Sequence, residues 1–384
     1  MTIYLIVTVI TSFLVFLEEK NNEKVKKKRC ILSILAILLL CIIAGARDSG
    51  VGTDTLVYGD SVFQWMCEHN FSEALVLNLK MKIDYGYLVL VYVITRFTDK
   101  LFWQYFVFQL ISVGFVFKAL DDANLDRYKW IGVFIYNTLF YSFSLNLMRQ
   151  IMAVSIVLYA YKYVRESKLL KFLIWVIIAI FIHKTAFVAI TIYPLYMMLG
   201  TTISYKEKRL GISLKNFFNK YRVILAILIC LSAMVVVMIP KQLVSLVARY
   251  FPSFSAKLSS FHGFNPSLAM FGIMILFLLP FAIFKKESYR KNPKLIFYLV
   301  ICLISTILWQ LEGISTEAYR VALYFWGLLI IIIPDIIKTI KITKTRVILK
   351  KYYLFLGIFY FWFVFVFRLT NETYPYTSKL LGIG

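Results

Sequence analysis

Charge is scarce in this chain of 384 residues: 16% are Asp, Glu, Lys or Arg, against 61% hydrophobic and 17% aromatic. Soluble domains carry about a quarter charged residues, so a water-soluble fold is excluded. Histidine is rarer still, with 3 residues, and the 5 cysteines (Cys30, Cys41, Cys67, Cys230, Cys302) lie far apart with no C-x-x-C pair. That spacing supports neither a disulfide framework nor a zinc site, and no metal or other cofactor is expected. The phosphate-cradling, dinucleotide-binding, H-E-x-x-H and G-x-S-x-G motifs are missing too, which weighs against ATP-driven transport, hydride chemistry and zinc hydrolysis. Short alternating strands are absent, so a membrane β-barrel does not fit.

The chain does have apolar runs of about 16 to 20 residues, recurring along its whole length. They predict an all-α, polytopic integral membrane protein forming a single transmembrane domain over residues 1–384. The formal net charge of +23 first suggests nucleic acid. The basic residues do not form one face, however. They concentrate in short loops, Glu18–Arg29, Lys162–Lys171, Lys206–Arg222, Lys285–Lys294 and Lys338–Lys351, with Lys118, Arg127 and Lys129 around another. This is the positive-inside pattern of cytoplasmic loops; the partner is the lipid bilayer and no nucleic acid is expected.

Threading the helices under that rule decides one ambiguous segment. If Tyr85–Phe97 crossed the membrane, some basic loops would fall on the wrong side. Its 13 or so residues, at ~1.5 Å each, are also well short of a ~30 Å hydrocarbon core. It is expected to be a juxtamembrane or re-entrant helix within an outer loop over 47–100. About 12 crossings remain, with both termini outside and a second outer loop at 240–266. The N-terminal run Thr2–Leu17 reads as a retained helix, since neither a basic stretch nor a small-residue cleavage site flanks it.

The same threading gathers the remaining polar groups on the outer side. "ARDSGVGTDTLVYGD" (46–60) offers Arg47, Asp54 and Tyr58 among glycines that permit a sharp turn. In "SLNLMRQIMA" (144–153), 3/4 spacing places Asn146, Arg149 and Gln150 on one helix face. A guanidinium there needs an anion, either a phosphate ligand or an internal carboxylate. "IFIHKTAF" (180–187) sets His183 between apolar runs, where it could bond a substrate, move a proton or satisfy a neighbouring helix. "EGISTEAYR" (312–320) holds Glu312, Glu317 and Arg320, readable as a local ion pair or a second anion site. His262 lies in a polar, aromatic stretch of the 240–266 loop, which reads as a lid or a plain connector.

Taken in order, "ARDSGVGTDTLVY", "DYGYLVLVYVI", "NLMRQIMA", "IFIHKTAF" and "YRVALYF" resemble the EpsG family of bacterial exopolysaccharide polymerases, related to the Wzy-type O-antigen polymerases. The resemblance runs from about Arg47 to about Phe325. Its recurring positions fall on Arg47, Gly52, Asp54, Tyr58, Tyr87, Asn146, Arg149, Gln150, His183 and Arg320. A looser similarity, in the outer-loop helix, is to glycosyltransferases of the GT-C type.

The resemblance implies undecaprenyl-pyrophosphate-linked oligosaccharides as substrates. They would be joined into exopolysaccharide, capsule or O-antigen at the outer face of the bacterial cytoplasmic membrane. A chain-length regulator and a flippase are the implied partners. On this reading Asp54 is the general base and His183 orients the acceptor or shares the proton. Arg149 and Arg320 hold pyrophosphate with Arg47 assisting, and Asn146, Gln150, Tyr58 and Glu312 contact substrate. The large outer loop of many O-antigen polymerases is absent, so acceptor-binding details do not transfer. A flippase or transporter of the same lipid-linked sugars, an O-antigen ligase or a membrane acyltransferase are the competing classes.

Overall fold

The computed structural model describes the chain apart from residues 26–29, 82, 202–208, 239–241, 243–244, 246–265 and 314–317. The described residues are helical, with one isolated antiparallel bridge between Ser378 and Ile383. Among the described residues six helices are long and apolar enough to cross a membrane: Thr2–Asn22, Leu101–Asp122, Lys220–Met238, Lys294–Glu312, Tyr319–Thr339 and Thr343–Phe367. Shorter apolar helices occupy Ile31–Ala46, Tyr85–Thr95, Leu169–Ile182, Lys184–Leu199 and Leu268–Ile283. His262, Glu317 and most of the 240–266 loop lie outside the described residues.

The chain divides into two compact units, Met1–Phe187 with Gly327–Gly384, and Val188–Trp326. The first unit contains α1 (Thr2–Val25), α2 (Ile31–Ala46), α3 (Ser61–Glu68), α4 (Phe71–Met81), α5 (Tyr85–Thr95) and α6 (Leu101–Asp122). It continues through α7 (Lys129–Leu139), α8 (Tyr141–Asn146), α9 (Met148–Arg165) and α10 (Leu169–Ile182). The second unit holds α11 (Ile192–Leu199), α12 (Arg209–Met238), α13 (Leu268–Leu278), α14 (Lys286–Lys291) and α15 (Lys294–Trp309). The chain then returns to the first unit for α16 (Leu329–Thr339) and α17 (Thr343–Phe361).

Helix α9 is the centre of the first unit, packed against α6, α8 and α10 and buried along most of its length. Its Arg149, Lys162 and Arg165 and its three tyrosines keep it out of the long apolar helices. Protein rather than lipid surrounds it, so its polar groups meet partners and hydropathy is no guide. Neighbouring helices are tied by the same kind of bond. Asn137 Nδ2 donates to Thr11 Oγ1 at 2.7 Å, Gln109 Nε2 to the Tyr136 hydroxyl at 3.0 Å, and Ser144 Oγ to Gln109 Oε1 at 2.9 Å. In a dry environment each unpaired group would cost several kcal/mol, so the bonds fix helix register.

Two expectations change. Helix α1 runs to Val25 and takes in the first part of the expected Glu18–Arg29 loop. The reason is capping across the chain: Glu19 accepts the backbone N–H of Lys129 and Trp130 at 2.8 and 3.2 Å, two donors that the first turn of α7 leaves free. Glu18 accepts the Ser33 N–H at 2.9 Å. The second change is at Ser144–Ala153, which is not one helix. Leu147 (φ −82°, ψ 50°) breaks it, so Asn146 ends α8 while Arg149 and Gln150 lie in the first turn of α9. Asn146 and Arg149 therefore do not share a face.

The segment 47–100, expected as an outer loop with a single helix, is itself mostly helical. Thr55–Asp60 forms a π-turn and α3, α4 and α5 follow. Helix α5 has 11 residues, roughly 17 Å of rise. It seats on α10 through Gly86, where a Cβ would lie 2.7 Å from the Phe181 carbonyl oxygen. Backbone cannot yield there as a flexible side chain would. Gly86→Ala is expected to push α5 off α10 and destabilise the protein by about 1–3 kcal/mol. An unchanged melting temperature in mild detergent would refute that close approach.

Candidate functional site

The N-terminus of α9 is where residues scattered through the sequence converge. Asp84, the residue before α5, occupies a helix N-cap position but makes no capping hydrogen bond. An aspartate at that position normally accepts an N–H of its own helix. Its buried carboxylate instead turns to two other elements. Oδ2 accepts from Arg149 Nη1 at 3.3 Å and from His183 Nδ1 at 3.0 Å, while Oδ1 accepts the Lys184 N–H at 3.3 Å. Both side chains that meet it are largely buried, at 17% exposure for Arg149 and 16% for His183. Burial pushes the Asp84 carboxyl upward in pKa. The His183 hydrogen bond and charge, the Arg149 charge and the Lys184 N–H outweigh that and hold it below the usual aspartate range.

The internal ion pair, one of two readings open for Arg149, is thus present, and its partner is a residue that sequence reasoning passed over. With Nδ1 donating to Asp84, the basic nitrogen of His183 is Nε2, the orientation an Asp–His pair uses for proton transfer. Among the described residues no group is bonded to Nε2.

A second arm of the site is the loop at 47–55. Gly52 adopts φ +98°, and a Cβ there would sit 3.2 Å from Asn146 Oδ1. Only glycine takes this backbone without strain. The close approach lets Asn146 Oδ1 accept the Asp54 N–H at 2.7 Å, and the Thr53 hydroxyl lies 3.4 Å from the same oxygen. Asp54 is held through its backbone, so its half-buried carboxylate makes no hydrogen bond or ion pair among the described residues. The C-terminal segment straps this loop in place. Asn146 Nδ2 donates to Asn371 Oδ1 at 3.2 Å, the Gly52 N–H to the Glu372 carbonyl at 3.0 Å, and the Asp48 N–H to the Thr377 carbonyl at 3.0 Å. Tyr376 donates to the Ile43 carbonyl at 2.8 Å.

Arg47 lies deeper. It is 6% exposed, with its guanidinium 3.9 Å over the Tyr105 ring, Nη1 donating to the Ala44 carbonyl at 2.8 Å and Nη2 3.2 Å from the Met148 sulfur. The Tyr105 hydroxyl donates to the buried Asp60 carboxylate. A cation on an aromatic face, with only neutral acceptors in contact, projects its charge toward the start of α9. Tyr87 sits between these groups. Its ring lies 5.3 Å below the Arg149 guanidinium, and its hydroxyl is within electrostatic range of Arg47, Asp54 and Asp60.

The first unit thus gathers Arg47, Asp54, Asn146, Arg149 and His183 around Asp84 and Tyr87. Gln150 is buried beside Arg149 in α9. Tyr58 lies in the 55–60 turn, with its side chain outside the described part. Glu312 and Arg320 belong to the second unit, in the 3-10 turns Gln310–Gly313 and Ala318–Ala322. No group of three metal-ligating side chains occurs among the described residues.

Asp84, Tyr105 and Asn371 belong to this candidate site and were missed by sequence reading. Only Asp84 left a signal, an acidic residue at the head of an apolar segment too short to span.

Comparison with known proteins agrees with the family-level reading. No curated protein and no solved structure matches the chain. The EpsG family model matches residues 30–378, nearly the whole chain, including every residue of the cluster around α9. The chain therefore belongs to the EpsG family, and is a multi-pass membrane protein of the exopolysaccharide-polymerase type.

Proposed function

We propose that this protein polymerises undecaprenyl-pyrophosphate-linked repeat units at the outer face of the bacterial cytoplasmic membrane. The reading includes about 12 crossings with the α9 cluster at the outer boundary, and a GT-C-like arrangement of the outer helices. An acceptor hydroxyl attacks the anomeric carbon of the growing glycan. The carbon–oxygen bond to the pyrophosphate breaks, and the lipid pyrophosphate leaves with the electron pair. The acceptor proton passes to a base. Two groups of opposite demand are therefore needed within one sugar's reach: cations for the leaving group and a proton acceptor for the hydroxyl.

The observation that carries this reading is the meeting of Arg149, His183 and the Asp54 loop at one helix terminus. Asp54, held by its N–H with its carboxylate unpaired, is the general base. His183, turned by Asp84, presents Nε2 to the acceptor or shares its proton. Arg149 supplies a planar fork to phosphate oxygens, and Arg47 adds positive field from behind it. Asn146, Gln150 and Tyr58 contribute contacts to the glycan. A flippase and a chain-length regulator are the expected partners.

The test is reconstitution in vesicles with lipid-linked repeat units, reading glycan length on gels. Arg149→Lys keeps a charge for Asp84 but loses the bidentate fork. It is expected to keep the fold and lower polymerisation by about 10²-fold. Wild-type chain lengths from folded Arg149→Lys and Arg149→Ala variants would overturn the assignment. Movement of unpolymerised repeat units across the bilayer, without chain growth, would favour a flippase instead.

A further inference from the structure

We infer that the second unit carries a binding site for one anionic phospholipid, drawn from the bilayer leaflet that its basic turn faces. A groove of about 580 Å³ runs between α12 and α15, a volume within the range of small-molecule sites, which suits an acyl chain rather than a whole lipid. Its walls are hydrocarbon: Val223, Ile227 and Leu231 from α12 face Ile296, Leu299 and Leu303 from α15. Their 3- and 4-residue spacing makes each set one continuous helix face.

One end of the groove is different in kind. Lys286 and Tyr289 of α14 line it beside Phe284. The Tyr289 hydroxyl is already used, donating to the Phe281 carbonyl at 2.6 Å. The Lys286 ammonium has no hydrogen bond or ion pair among the described residues. The neighbouring acid, Glu287, lies 3.7 Å from Lys291 instead. Lys285 and Arg290 flank it with further positive charge and are exposed.

An uncharged occupant would fill the trench and leave the ammonium without a counter-ion. An acyl chain in the groove with its phosphate at Lys286 satisfies both ends at once. Each added lysine or arginine at a membrane surface favours an anionic lipid over a neutral one. The positive-inside rule puts the Lys285–Lys294 turn on the cytoplasmic side, so the lipid belongs to that leaflet. This site is independent of the polymerisation reading.

Native mass spectrometry of the full chain tests it, after detergent exchange and addition of phosphatidylglycerol or phosphatidylcholine. One phosphatidylglycerol is expected to survive collision energies that strip phosphatidylcholine. Lys286→Gln should cut that retention about fivefold, and Leu303→Trp, which fills the groove, should abolish it while the lysine remains. Inorganic phosphate should not compete, because it has no chain for the groove. Equal retention of the two lipids, unchanged retention in Lys286→Gln, or competition by inorganic phosphate would each overturn the proposal. Exposed Lys286 has no bond to lose, so the fold of that variant is expected to be intact, and its melting temperature checks this.

Discussion

Asp84→Asn is expected to be among the most damaging single-atom exchanges in the protein, although Asp84 touches neither lipid tail nor, on our reading, sugar. It leaves the Arg149 guanidinium without its counter-charge and weakens the anchor of His183 Nδ1. Breaking a buried pair from one side costs about 3–5 kcal/mol, and partial exposure of Arg149 puts the expectation at the low end. Unfolding in mild detergent measures it. The pH dependence has a definite sign. Because Asp84's folded pKa is depressed, its stabilisation is fully present above the unfolded value of about 3.9 and is lost as pH falls through the lower folded value. The gap between wild type and Asp84→Asn should therefore close as pH falls below about 4. A gap that persists unchanged into strong acid, or is absent at neutrality, would refute the pair. Polymerisation should fall by about 10²-fold, as two oriented groups lose their holder. Removing both partners, as Asp84→Asn with Arg149→Met, should recover much of the stability and none of the activity.

Asp54→Asn separates chemistry from stability in the opposite way. The Asp54 carboxylate has no bond among the described residues, and the loop is held by its backbone N–H on Asn146. The variant is expected to melt within about 0.5 kcal/mol of wild type. Loss of a general base should lower the polymerisation rate by about 10²–10⁴-fold, with lipid-linked substrate still bound. Full activity in Asp54→Asn would transfer the base to His183, whose Nε2 is oriented for it. In that case His183→Asn should carry the loss.

How much of this was legible in the sequence depended on the range of the interaction. The gap between a short apolar segment and a membrane thickness is a local count, and α5 has the limited length expected of Tyr85–Phe97. Arg47, Asp54, Asn146, Arg149 and His183 were legible as polar groups at the edges of apolar runs, where desolvation makes such residues expensive without a purpose. Who pairs with whom was not legible. Periodicity put Asn146 and Arg149 on one face, but Leu147 breaks the helix and aims one at Asp54 and the other at Asp84. Asp84 drew no reading of its own, because nothing near it in sequence carries the charge it meets. Asn371, in a polar C-terminal stretch, carried no sign that it would support Asn146 from 225 residues away.

Sequence alone determined the solvent, the helical class and several polar residues, Arg149 and His183 among them, that need a partner. Each follows from a local free energy: hydrocarbon needs about twenty apolar residues per crossing, backbone bonds must close within the segment, and a buried charge must have a counterpart. Tertiary structure decided the counterparts. The carboxylate that meets Arg149 and His183, the glycine that brings Asp54 to Asn146, and the aromatic face beneath Arg47 are all non-local. Such pairings arise only when helices distant in sequence pack together, so no window along the chain contains them.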